Sequence, residues 1–144
     1  MIYLGADHRG YQLKEAIKGW LKEKRLKFLD LGNEIYDEKD DYPDFGKKVA
    51  KAVQKNPKKD KGILICGSGI GMSIVANRFK EVRAGLCLSH WMAEDARKED
   101  DINILVLAAN YTDPNTAIVI VESFLKAPFE NIERRKKRIS KIDK

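Results

Sequence analysis

Apolar positions along the chain follow two alternating periods. Short runs of near-consecutive apolar residues, "MIYLGA", "LKFLDLG", "GILIC", "VRAGLCL" and "INILVLAA", are each followed by a segment whose apolar residues recur every three or four positions. The first kind reads as strand and the second as amphipathic helix. In "GYQLKEAIKGWLKEKR", Leu13, Ile17, Trp20 and Leu21 fall on one helical face. Gly32 closes the second strand, the polar stretch "NEIYDEKDDYP" is a loop, and Pro43 suits the first helical position of "DFGKKVAKAVQK". "GMSIVANRF", "HWMAEDARK" and "PNTAIVIVESFLK" complete the pattern. Five strands and five helices alternate, with a basic segment appended and no repeat or low-complexity linker between them.

Such alternation predicts an α/β fold with a parallel sheet covered by helices on both faces, because right-handed crossovers allow little else at this length. The expected architecture is a flavodoxin-like (Rossmann-like) three-layer sandwich, its five strands in the order 2-1-3-4-5. In such a sheet ligands bind beyond the carboxyl ends of strands 1 and 3, where the winding reverses. The segments there are "ADHRG", with Asp7 and His8, and "CGSGIG", with Cys66 and Ser68. The most chemically equipped residues of the first half of the chain therefore converge on one predicted crevice.

Composition narrows the class. A chain of 144 residues, 43% hydrophobic, buries one sizeable core, so residues 1–144 are expected to form a single domain. No apolar run approaches the roughly 18 residues of a membrane span, and Met1 leads into "MIYLGA" without a basic segment or cleavage site, as in a cytoplasmic protein. Cys66 and Cys87 lie in separate strand regions without zinc-type spacing, which fits reduced thiols, and no structural metal is expected. Much of the net charge of +6 sits in "ERRKKRISKIDK". Ile132, Ile139 and Ile142 recur there at nearly helical spacing, as on a helix packed against the body. The basic face is open to three readings: a solvated surface, a small-anion site, or a nucleic-acid contact with steep salt dependence.

The glycine-rich loop carries the most specific chemistry. Gly67, Gly69 and Gly71 let the backbone approach a ligand and turn its amides inward, and the following helix presents its positive end to an anion. That field favours a thiolate, so Cys66 is either a base or nucleophile beside an anion-stabilising loop, or a small core residue ending a buried strand. The spacing is GxGxG after the third strand, unlike a dinucleotide fingerprint, and no GKS or GKT follows, which excludes a nucleotide P-loop.

"GADHRGYQLK", "DYPDFGKKVA", "GILICGSGIGMSIVANR" and "INILVLAA", in that order, resemble the type B ribose-5-phosphate isomerase family, which includes galactose-6-phosphate isomerase subunits. The likeness covers essentially the whole chain. It implies a metal-free aldose–ketose isomerase that opens the sugar ring and proceeds through a cis-enediolate, with ribose 5-phosphate the expected substrate. By resemblance Cys66 is the base; a second branch uses a glutamate that would fall at position 72, which is Met72 here. Ser68 matches the proton-shuttling hydroxyl. The amides at Gly67, Gly69 and Gly71 match the enediolate-stabilising loop, with Ser73 in the same motif. Asp7 and Tyr42 match sugar contacts and His8 a phosphate contact. Arg134 and Arg138 match phosphate-binding arginines, spaced so as to share one helical face. The resemblance also implies a homodimer or dimer of dimers, with residues 128–144 forming a helix that reaches into a neighbouring subunit.

Some positions depart from the family. Glu99 and Asp100 stand where a histidine and an asparagine are usual, the histidine assisting ring opening. A carboxylate can do the same work if burial or a like charge raises its pKa, with Asp7, Asp100 and Asp101 as candidate neighbours. Otherwise Glu99 belongs to a solvated acidic turn. Asn110 replaces a common arginine, and "ENIERR" replaces GGRH with one residue inserted. His90 reads as a surface or capping histidine rather than a relocated catalyst, and Trp20 and Trp91 as packing residues. Three classes follow: an active sugar-phosphate isomerase, a silent sugar-phosphate binder or hetero-oligomer subunit, and a nucleic-acid binder. The third has only the basic tail in its favour, so neither nucleic acid nor membrane is expected as a partner.

Overall fold

A computed structural model describes residues 1–143; Lys144, the last residue of the expected tail segment, lies outside the described residues. The elements run β1 (Ile2–Ala6), α1 (Tyr11–Glu23), β2 (Phe28–Asp30), α2 (Tyr42–Gln54), β3 (Lys61–Cys66), α3 (Ile70–Ala76), β4 (Ala84–Leu86), α4 (His90–Asp100), β5 (Ile104–Ala108), α5 (Pro114–Lys126) and α6 (Glu133–Ile139). Start signals stand where the sequence puts them. Ser89 Oγ accepts from the Met92 amide, Asp113 accepts from Asn115 and Thr116, and Pro43 sits in the first turn of α2.

All four strand pairings are parallel, in the order β2-β1-β3-β5-β4. The doubly wound sandwich is as expected, but the last two strands exchange places relative to 2-1-3-4-5. Burial explains the exchange. Every residue of β5 is buried, as a strand with neighbours on both sides requires, whereas β4 has three half-buried residues and takes the edge. The continuous apolar run "ILVLA" against "AGL" already carries that difference.

Side chains alternate across the sheet, and each set meets its own helices. Leu4, Ala6, Ile63, Ile65, Leu105 and Leu107 pack with α1, α4 and α5 through Leu13, Ile17, Leu21, Ala93, Ile120 and Phe124. Leu64, Cys66, Ile104 and Val106 pack with α2 and α3 through Phe45, Val49, Met72 and Ala76. The faces follow the direction of travel: crossovers toward β2 and from β4 back to β5 run over one side, those toward β3 and β4 over the other, as right-handed connections demand. Trp20 packs at the margin of the first cluster. Trp91 stays out of the core: it is 67% exposed in the first turn of α4 and its ring meets only that of the neighbouring His90, with centroids 4.5 Å apart, among the aromatic pairs of the described residues.

The tail docks differently from the isoleucine stripe the sequence suggests. Ile132 and Ile142 are exposed and Ile139 is half-buried. Arg135 instead clamps α6: its guanidinium donates to Lys98 O at 3.0 Å, to Glu99 Oε1 at 3.0 Å and to Glu130. The surface beneath is the polar end of α4, so a forked cation finds partners there and apolar side chains do not.

One polar group lies deep in the framework. Lys14 on α1 is fully buried, and its ammonium donates to both oxygens of Asp30 at 2.8 Å and to the carbonyl of Asn33. Burial pushes the Asp30 carboxyl up, but Lys14 and Lys18 outweigh it and hold the pKa below the usual range. Lys14→Met should lower stability by about 2 kcal/mol, less than the ~3–5 of a wholly orphaned buried charge because Lys18 remains. Since the Asp30 pKa is depressed on folding, the wild-type advantage exists above the unfolded carboxyl value of about 3.9 and is lost as pH falls through the folded one. Thermal melts at neutral and acid pH check both the deficit and its narrowing.

Candidate active site

Register brings the chemistry together. Ala6 pairs with Ile65 and Cys66 with Ala108, so β1, β3 and β5 end at one level and their following loops share one edge. The Asn110 amide bonds to Gly67 O at 2.9 Å, and the Asp7 amide reaches Ile65 O at 3.4 Å. The resulting cavity of about 330 Å³ is lined by Asp7, His8 and Arg9 after β1, by Asp40, Asp41 and Tyr42 at the start of α2, and by Cys66, Gly67, Ser68 and Gly71 after β3. This is the switch-point crevice.

Cys66 satisfies both readings of its position. It is 5% exposed and belongs to the core beneath α2 and α3, yet it forms part of the cavity wall. Both cysteines are free, and burial pushes the thiol of Cys87, on the other side of the sheet, up to about 11. Met72 is fully buried in the core. The loop after Cys66 turns through Gly69 at φ +76°, the left-handed region that glycine enters without strain. Gly71 permits a close approach: a Cβ there would stand 2.6 Å from the Tyr42 ring. Ser68 Oγ accepts from the Ile70 amide at 3.3 Å, leaving its own proton to donate.

The opposite wall is a hydrogen-bonded relay. Asp40 Oδ1 accepts from the His8 amide at 2.9 Å and lies 2.8 Å from His8 Nδ1, while Asp40 Oδ2 accepts from Asn33 Nδ2 at 3.1 Å. Asn33 in turn offers its carbonyl to buried Lys14. The Asp40 hydrogen bond raises the His8 pKa above its ordinary value, against a smaller desolvation effect, and turns Nε2 outward. Burial raises the pKa of Asp7, only partly offset by the Gly10 amide that donates to Oδ1 at 3.0 Å. Among the described residues Asp7, His8 and Asp40 form the one group whose donor atoms, within 4.8 Å of one another, could hold a metal. Two of the three, His8 and Asp40, already bond to each other, and Asp40 also accepts from Asn33.

Asp40, Asn33, Lys14 and Arg9 are contributions the sequence does not announce. Asp40 lies 32 residues from His8 in a run of charged loop residues, and no periodicity links them. Other expected residues stand elsewhere. Ser73 lines a separate shallow groove with Asn77 and Arg78, one turn into α3, and its buried Oγ has no partner among the described residues. Glu99 and Asp100 end α4, which runs against the strands, and so lie at the opposite edge of the sheet. Arg134 and Arg138 are exposed on α6 at that same edge. None of these four lines the crevice of its own chain.

Comparison with known proteins gives a consistent result. The ribose-5-phosphate isomerase B of Mycoplasma genitalium, solved with bound ribulose 5-phosphate, is 45% identical and superposes with a TM-score of 0.95, covering 98% of this chain and 92% of that one. A ribose 5-phosphate isomerase from Thermotoga maritima is 42% identical with a TM-score of 0.93, covering 99% and 96%. Ribose-5-phosphate isomerase B of Escherichia coli is 36% identical over 141 residues, 98% of this chain and 93% of the relative. With residues 2–142 matching the Ribose/Galactose Isomerase family and the parallel sheet presenting its cysteine loop at the switch point, the chain belongs to that family.

Proposed function

We propose that the protein is a cytoplasmic aldose–ketose isomerase that converts ribose 5-phosphate to ribulose 5-phosphate through a cis-enediolate, with Cys66 as the base. The observation that carries this reading is the meeting of Cys66 and Ser68 with Asp7 and His8 in one crevice. As thiolate, Cys66 takes the proton from carbon 2 of the open-chain aldose and returns it to carbon 1. The hydroxyl proton passes from oxygen 2 to oxygen 1 through Ser68, so the protein ends the cycle unchanged. Charge develops on the two oxygens only along the way, and the inward amides of the glycine loop act on it there. Asp7, whose raised pKa lets it hold a proton, serves the ring oxygen or a sugar hydroxyl. Tyr42 bounds the sugar site and His8 meets the phosphate.

The remaining expected groups reach the crevice only from a second copy. We infer a homodimer in which Arg134 and Arg138 of one subunit bind the phosphate held by the other, with Glu99 and Asp100 beside them. In this reading Glu99 acts first through Arg135: their ion pair anchors α6 and so orients both arginines. The missing ring-opening histidine favours a second reading, a sugar-phosphate binder without turnover, which the first experiment separates.

Proton NMR in deuterated water should show the carbon 2 signal of ribose 5-phosphate disappearing as ketose forms, and Cys66→Ala should slow both by about 10³-fold, within the range of general base catalysis. Binding without exchange would instead mark the silent binder. His8, facing Asp7, Arg9 and Asp40, keeps its proton above the ordinary histidine value of about 6.5. Sugar-phosphate affinity should therefore hold through that value and weaken only above it, and Asp40→Asn, which removes the main cause of the raised pKa, should move the weakening to lower pH in a calorimetric series. Mixing Cys66→Ala with Arg138→Ala subunits should recover about a quarter of wild-type activity, because half the dimers are mixed and each mixed dimer holds one intact site. No recovery would exclude sites shared between subunits.

A further inference from the structure

The relay that fixes His8 leaves its neighbour free. Arg9 occupies the turn between β1 and α1, which the Asp7 carboxylate ties to the Gly10 amide. The residue is exposed, and the stem of its side chain keeps close to the backbone. It lies across the glycine loop: a Cβ built on Gly67 would stand 2.8 Å from Arg9 Cδ and 3.3 Å from its Nη1, and 3.0 Å from Asn110 Nδ2. Glycine at 67 is thus what lets an arginine cross β3 at the crevice mouth.

The guanidinium held there is unspent. Asp7, Asp40 and Asp41 line the same cavity, yet among the described residues Arg9 makes neither an ion pair nor a side-chain hydrogen bond. Asp40 is committed to His8 and Asn33, and Asp7 to Gly10. Five N–H donors in a planar fork suit an oxyanion with more than one free oxygen, and His8, which lines the same cavity, keeps Nε2 clear of its bond to Asp40.

We propose that Arg9 binds the substrate's phosphate within its own chain, pairing with His8, so that each crevice grips the phosphate before any neighbouring subunit contributes. The inference rests on the isomerase reading. It adds a contact made in the ground state and the transition state alike, one that acts on binding more than on turnover.

The test compares wild type with Arg9→Ala, Arg9→Lys and the double variant Arg9→Ala/Asn110→Arg, using inorganic phosphate, ribose 5-phosphate and unphosphorylated ribose. Arg9→Ala should weaken phosphate binding and raise KM for ribose 5-phosphate by about tenfold to a hundredfold, the range for a hydrogen bond to a charged group, with kcat changed less than about threefold. Ribose binding should not move. Arg9→Lys should fall between, and the double variant should regain affinity, because residue 110 reaches the same point over Gly67. An unchanged phosphate affinity in Arg9→Ala, or an equal loss for ribose and phosphate, overturns the assignment while the isomerase reading stands. A wild-type protein that binds neither phosphate nor sugar phosphate overturns both.

Discussion

A buried ammonium must have its protons taken up, and at Lys14 that requirement joins the framework to the site. Its partners are Asp30 at the carboxyl end of β2 and the Asn33 carbonyl just beyond. One cation thus sets where α1 lies against the sheet and where the loop leaving β2 begins its path. The same loop returns at Asp40, which Asn33 holds through its amide, and Asp40 fixes the orientation of His8 and raises its pKa. Lys14, Asp30, Asn33, Asp40 and His8 act as one unit, and the buried ammonium at its root is satisfied by both oxygens of Asp30 and by the Asn33 carbonyl, which is the condition under which a buried polar network rigidifies rather than weakens a fold.

The crevice divides its labour along the same lines. Its β3 side is backbone and small side chains: a cysteine sunk into the core, a hydroxyl on a tight turn, and glycines that let Tyr42 and Arg9 approach. Its β1 side is charged, with Asp7 pushed toward its protonated form by burial and His8 toward its protonated form by Asp40. A carboxyl and an imidazole that both hold protons more tightly than usual suit the sugar-phosphate site proposed for this crevice. The arginines of α6 stand at the far edge of the sheet, fastened through Arg135 by polar clamps and exposed on their other face. The homodimer proposed above would use both features.

Much of this was legible beforehand. Alternating periods define every element, because burial on a pleated strand and on a helix leaves different spacings, and the switch-point rule singles out Asp7, His8, Cys66 and Ser68 before any coordinate is known. The exchange of the last two strands was written in the apolar run of β5, although the commoner topology suggested otherwise. The isoleucines of the tail and Trp91 misled for one reason. Apolar spacing states that a face exists, whereas what lies opposite it depends on elements distant in sequence.

By itself, then, the sequence determined the elements, the parallel doubly wound class and the family, and it singled out the glycine loop that the fold sets at the crevice, all of which follow from local spacing and contiguous motifs. Only the tertiary structure decided that Asp40 partners His8 across 32 residues, that Lys14 underlies both, that Arg9 crosses Gly67 with no partner among the described residues, and that Glu99 meets Arg135 rather than its own crevice. Each of these is a contact between residues with no periodic relation along the chain. Hydrogen bonds and ion pairs act over about 3 Å in space, and only folding sets which groups come that close.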